Sequence, residues 1–253
     1  MATTDELVAY LGDYLQVEAV PDYPNAHNGM QLANGNGTVQ KVGAAVDACL
    51  PVVLEAVDRG IDFLIVHHGM FWSGVQRIEG AVYERVKAAL DGGMAIYSSH
   101  LPLDIHAEVG NNAVLCDRMG IWDPSPFLEW KGIFLGLRGE VEMGREDLEE
   151  RLSDAVGGAN VHLCPGGPEV VRRVGVVTGG AGGEVMQAAA EGVDTLVTGE
   201  GPHWSYTAAE ELGVNLFYGG HYATETFGVK ALAAHLAERE RVPWEFVDHP
   251  TGL

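Results

Sequence analysis

Apolar positions in this chain come in two arrangements. Short unbroken runs such as "KVGAAVD", "DFLIV" and "MAIYSS" alternate with stretches in which apolar residues recur three and four positions apart. The runs suit strands buried on both faces of a parallel sheet, and the spaced pattern suits helices with one apolar side. Near the start, Thr3 and Glu6 have the spacing of a capping box and open a helix through about Leu15. "PDYPNAHNGMQLANGNG" reads as a loop from its Pro, Asn and Gly content. After the strand "KVGAAVD", residues Leu50, Val53, Leu54 and Val57 mark one face of a helix, with Pro51 in its first turn and Gly60 at its end. "DFLIV" completes a β-α-β unit, which a helix over 81–91 and the strand "MAIYSS" extend.

From about Ile121 to Val171 the character changes. "GIFLGLRGEVE" is a strand with partial alternation, "REDLEERLSDAVG" a charged helix and "NVHLC" a short strand. "RRVGVVTGG" then starts another β-α-β unit that ends in "DTLVTGE", followed by a helix and the strand "VNLFYGG". A last helix spans about Thr224 to Glu240, and "PWEFVDHP" has the makings of an edge strand.

The chain also repeats itself. Residues 42–69 align without a gap on residues 174–201, sharing the opening Val-Gly, Val53 with Val185, Ala56 with Ala188, Gly60 with Gly192, Asp62 with Asp194 and Leu64 with Leu196. The next strand repeats too: "IYSSHLPLD" matches "FYGGHYATE", so His100 pairs with His221 and Asp104 with Glu225. Convergent strand-helix-strand patterning accounts for part of this; the added match of H-x-x-x-D with H-x-x-x-E favours duplication.

Composition narrows the class. The 253 residues suffice for one large domain or two small ones. With 36 acidic against 15 basic residues, the formal charge is −21, which weighs against nucleic acid and anionic membranes as partners. No apolar run approaches the roughly 20 residues of a membrane span. The N-terminal "MATTDELVAYLGDYL" lacks the basic and apolar regions of a signal peptide, so a soluble, cytoplasmic protein is expected. Cys49, Cys116 and Cys164 are scattered and odd in number, which fits thiols in a reducing compartment and weighs against a zinc ribbon.

The candidate chemistry lies where the apolar runs stop. Ligands of open α/β sheets gather beyond the carboxyl ends of strands. His67, His68, Asp104 and His221 all fall just after predicted strands, and Glu225 follows His221 by one helical turn. Adjacent histidines point in different directions and suit two neighbouring ions, which a carboxylate can bridge at about 3.5–4 Å. This mixed nitrogen-oxygen set suits Zn, Mn, Fe or Co better than Ca or Mg. Five protein ligands leave room for water, and a metal-bound hydroxide points to hydrolysis at carbon or phosphorus. The isolated His27, His106, His162, His235 and His249 read as ordinary surface or core residues. His100 reads as a neighbour of the ligands or a substrate-facing group. Glu200 and His203, in "TGEGPHW", border the cleft or belong to a tight turn, and these three are the candidate catalytic residues. "TGGAGG" is a weak match to a phosphate cradle, lacking the P-loop lysine.

Taken together, "NGMQL", "AVDACLPVVLEAVDRGIDFLIVHHGMFW", "SSHLPLD", "TGEGPHW" and "GGHYATETFGVKAL" resemble the motifs of the NIF-three-like dinuclear-metal family, also labelled GTP cyclohydrolase I type 2 homologues, over nearly the whole chain. The resemblance implies the same ligands, His67, His68, Asp104, His221 and Glu225. It also implies a ring-shaped homo-hexamer built from dimers, in the short form without an inserted domain; "HHGMFW" departs from the more usual H-H-P. The expected fold is therefore α/β, with two similar α/β lobes, 1–120 and 121–253, related by internal duplication and facing each other around a central metal cleft. The expected function is a metal-dependent hydrolase with two divalent transition-metal ions acting on a small molecule, with purine ring opening as one reaction. A non-catalytic metal-binding regulator or scaffold and a generic phosphoesterase are the alternatives.

Overall fold

The apolar runs build two separate sheets. A computed structural model describes residues 2–158 and 160–253, in a mixed α/β fold with two compact units. The first extends to Leu103 and takes up Gly228–His249 again; the second comprises Asp104–Phe227 and Pro250–Leu253. The expected division after residue 120 thus gives way to an interleaved one. Its physical reason is strand pairing: Trp244–Phe246 adds in parallel to Val42–Asp47 at the edge of the first sheet, drawing the C-terminal segment back.

In the first unit, Trp244–Phe246, Val42–Asp47, Phe63–His68 and Ala95–Ser98 run parallel in that spatial order, and Gly29–Leu32 closes the far edge antiparallel. "GMQL" reads as loop in the sequence; four residues opening on a glycine are too few to carry a pattern of their own, and pairing with Ala95–Ser98 makes them a strand. The helix Leu50–Asp58 buries Val52, Val53 and Ala56; of the expected face, Val53 is in the core and Val57 packs against it, whereas Leu54 is 52% exposed. The three buried residues pack with Leu64, Val66, Met94 and Ile96 into one core.

In the second unit, Val170–Val176, Thr195–Thr198 and Asn215–Tyr218 are parallel, flanked by the antiparallel strands Ile133–Gly144 and His162–Pro165. Ser125–Trp130 adds a further edge that the pattern does not reveal, because Phe127 and Leu128 are both buried and Leu128 has φ +64, which breaks the alternation. The last helix is also two pieces, His221–Thr224 and Thr226–Glu240. Among the described residues no helix is long and apolar enough to cross a membrane.

The positions shared by the two aligned segments do the same local work. Gly60 and Gly192 end their helices at φ +69 and +85, where a Cβ is strained. Ile61 N–H donates to Ala56 O, and Val193 N–H to Ala188 O. The Asp62 carboxylate accepts from the N–H groups of Gln40 and Lys41, and that of Asp194 from Arg172 and Arg173. Each aspartate thereby pins the start of one strand to the start of the next.

Candidate metal centre

His67 and His68 are the last two residues of the strand Phe63–His68, not the first two of the loop after it. At this strand end the two rings lie side by side, with centroids 4.9 Å apart and planes tilted by 53°. His67 is buried, and its Nδ1 donates to the Ser99 carbonyl at 3.0 Å. His68 Nδ1 meets Asp47 Oδ1 at 3.0 Å, and Asp47 is its register partner on the neighbouring strand. His100, also buried, meets Asp22 Oδ1 through Nδ1 at 2.9 Å. Each of these oxygens accepts, so Nδ1 is the donor in each pair and Nε2 is the ring nitrogen left for another partner. One donor atom from each of His67, His68 and His100 lies within 4.8 Å of the other two. Such oxygen partners on the second ring nitrogen are the usual support of metal-binding imidazoles.

The acid behind His100 is itself fixed. Asp22 also accepts from Asn28 Nδ2 and from the N–H groups of Tyr23 and Leu101. Burial works against its charge, but the His100 imidazole, with Asn28 and Tyr23, holds the carboxyl below the ordinary range. Trp72 lies against both histidines, with ring centroids 4.5 Å from His100 and 5.0 Å from His68.

In the second unit a glycine-rich turn packs against Asp104, His221 and Glu225. Thr178 donates from Oγ1 to Asp104 Oδ1 at 3.2 Å, and Asn111 Nδ2 donates to the same oxygen at 2.8 Å. At Gly179, with φ +71, a Cβ would collide with Glu225 Oε1. At Gly180 it would sit 3.6 Å from the His221 ring. "TGGAGG" therefore serves as packing around these side chains: the Gly179 carbonyl accepts from Gly199 and Glu200, and its N–H donates to Thr224 Oγ1. This arrangement differs from a phosphate cradle, in which backbone N–H groups converge on an anion.

His221 opens the short helix, and its Nε2 meets Glu225 Oε1 at 3.1 Å, as one-turn spacing requires. Its Nδ1 meets Glu200 Oε1 at 2.8 Å. Burial pulls the imidazole's pKa down, but the carboxylates of Glu225 and Glu200 outweigh it and carry the group up to about 9. The protonated ring thus donates one N–H to each acid, Nδ1–H to Glu200 and Nε2–H to Glu225. Glu200, half exposed, orients His221 from behind. His203 stands exposed at the head of the helix Trp204–Leu212, on the wall of a cavity of about 500 Å³.

Spacing misses Asp22, Asp47, Asn111 and Thr178. Asp47 alone leaves a signal, as the polar end of the run "VGAAVD" beside the strand that carries His68.

The sequence profile of the DUF34/NIF3 family, NGG1p interacting factor 3, matches residues 2–251. The chain belongs to the DUF34/NIF3 family. Among DUF34/NIF3 relatives, a protein of Deinococcus radiodurans named GTP cyclohydrolase 1 type 2 homolog is 42% identical over 98% of this chain and 94% of its own length. One of the same name from Pyrococcus abyssi is 40% identical over 98% and 99%. The crystal structure of TTHA1606 from Thermus thermophilus superposes with a TM-score of 0.89 at 42% identity over the full length of both chains. The protein ybgI, described as of unknown function, gives a TM-score of 0.91 at 35% identity, again over both full lengths.

Proposed function

We propose that this chain is a metal-dependent hydrolase in which His67, His68, Asp104, His221 and Glu225 hold two divalent transition-metal ions. The observation that carries this reading is the treatment of the imidazoles. Four histidines, His67, His68, His100 and His221, each have Nδ1 bonded to an oxygen, and three of the four acceptors are carboxylates. Acid-imidazole pairs of this kind raise ligand basicity and fix ring orientation. Nitrogen and carboxylate donors together fit Zn, Mn, Fe or Co.

Bound divalent ions supply Lewis acidity, enough to bring the pKa of a water to about 7. The chain's own part is positional. Asp47, Ser99 O and Asp22 orient the first group of rings, and Thr178 and Asn111 hold Asp104. Glu200 and Glu225 hold His221. The aligned segments support a duplicated pair of lobes, and the family resemblance supports a hexameric ring of three dimers. Light scattering of the purified chain checks the latter.

A screen of metal-loaded protein against GTP, other nucleotides and aryl phosphates tests the activity. Turnover that requires added metal and disappears in His67→Ala is the expected result, and the product distinguishes purine ring opening from phosphoester cleavage. Substrates left intact by the loaded wild type, or equal rates in His67→Ala, would overturn the reading.

A further inference from the structure

The 500 Å³ cavity of the second unit has a wall suited to one chemical class. His162 and Tyr218 are register partners on adjacent antiparallel strands, with rings 12° from parallel and centroids 6.1 Å apart. Tyr206, from the helix Trp204–Leu212, lies 5.8 Å from the His162 ring. The Tyr218 hydroxyl is bonded to Ser205 Oγ, which fixes that ring before any ligand arrives. Pro202 and His203 complete an aromatic and apolar surface, and the Glu200 carboxylate stands on its edge. Glu200 gives Oε1 to His221, leaving Oε2 to face a donor.

We infer that this cavity seats the planar nitrogen heterocycle of a nucleoside-type ligand, stacked on His162, Tyr206 and Tyr218 with a ring N–H directed at Glu200. A volume of this size accommodates such a ring with its sugar. Stacking on fixed aromatic side chains is the common means of holding a base. Among the described residues of the cavity lining, Glu200 is bonded to His221 on its Nδ1 edge, whereas Glu225 lies on the Nε2 edge. The cavity is therefore a recognition pocket beside the proposed metal centre. As a substrate class for that centre it rests on the hydrolase reading; as a binding site it stands alone.

Calorimetric titration of zinc-loaded full-length protein with guanosine, and with ribose as the ring-free control, tests it. Guanosine should bind and ribose should not. His162→Ala and Tyr206→Leu should each weaken guanosine about tenfold, equivalent to about 1.4 kcal/mol, with unchanged melting temperatures. Glu150→Gln, on the same unit but outside the cavity lining, should keep guanosine affinity. Absence of guanosine binding, or wild-type affinity in both cavity variants, would overturn the pocket even if metal-dependent hydrolysis is found. Guanosine binding that responds to the cavity variants, in a protein that hydrolyses nothing, would uphold the pocket and reject the hydrolase reading.

Discussion

Asp47 illustrates how a single side chain sets the properties of another. Its contact with the proposed centre is the bond to His68 Nδ1, so Asp47→Ala leaves every ligand in place and removes the orientation of one. Loss of such a partner costs about 10- to 100-fold in metal affinity; competition against a chromophoric chelator should read a drop of that size with little change in melting temperature. Undiminished affinity would show that His68 needs no support. Cysteine chemistry gives a second residue-level prediction. Burial pushes the Cys116 thiol up to about 12 and raises that of Cys164 as well. At pH 8, below both, these thiols stay protonated, so mass spectrometry after brief alkylation of the native protein should find Cys116 unmodified. The five proposed ligands are legible in the sequence because each closes an apolar run or lies one turn from a histidine. Asp22 is not: it acts on His100 across 78 positions of chain, from a loop whose Pro and Asn residues announce only a turn.

At the scale of elements, the aligned segments are informative because their shared residues have identified tasks. Asp62 and Asp194 each tie two strand starts together through charge-assisted hydrogen bonds. Asp62→Ala and Asp194→Ala should each lower stability by about 1–3 kcal/mol in chemical denaturation, with metal content unchanged in the folded protein. A cost under about 0.5 kcal/mol for both, below the usual range of one hydrogen bond, would mean that the latch contributes nothing. The turn Thr178–Gly180 makes the complementary case. Gly179→Ala places a methyl where Glu225 Oε1 now sits and strains a backbone at φ +71. It should cost about 1 kcal/mol of stability or more and reduce bound metal, whereas Gly183→Ala, with nothing nearer than 3.8 Å, should retain metal. The parallel strands are legible from unbroken apolar runs. Gly29–Leu32 and Ser125–Trp130 are not, because pairing with neighbours and a positive-φ leucine define them, and neither leaves a period in the sequence.

For the whole molecule, His67 and His68 belong to the first compact unit, and Asp104, His221 and Glu225 to the second. The interleaved chain path explains why a simple midpoint is the wrong place to divide it. The return of Trp244–Phe246 to the first sheet depends on partners at Val42–Ala44, far back along the chain, a relation no local pattern encodes. The acidic excess of the chain complements cations as ligands, and part of it stands behind the imidazoles, as Asp22, Asp47 and Glu200 do. The most direct test is the number of ions the protein retains. Metal-depleted wild type, equilibrated with zinc or manganese, dialysed and measured by plasma mass spectrometry, should hold two ions per chain, and a His67→Ala, His68→Ala, His221→Ala triple variant should hold none. Wild-type protein that emerges without bound metal, or a triple variant that still holds two ions, would contradict the account.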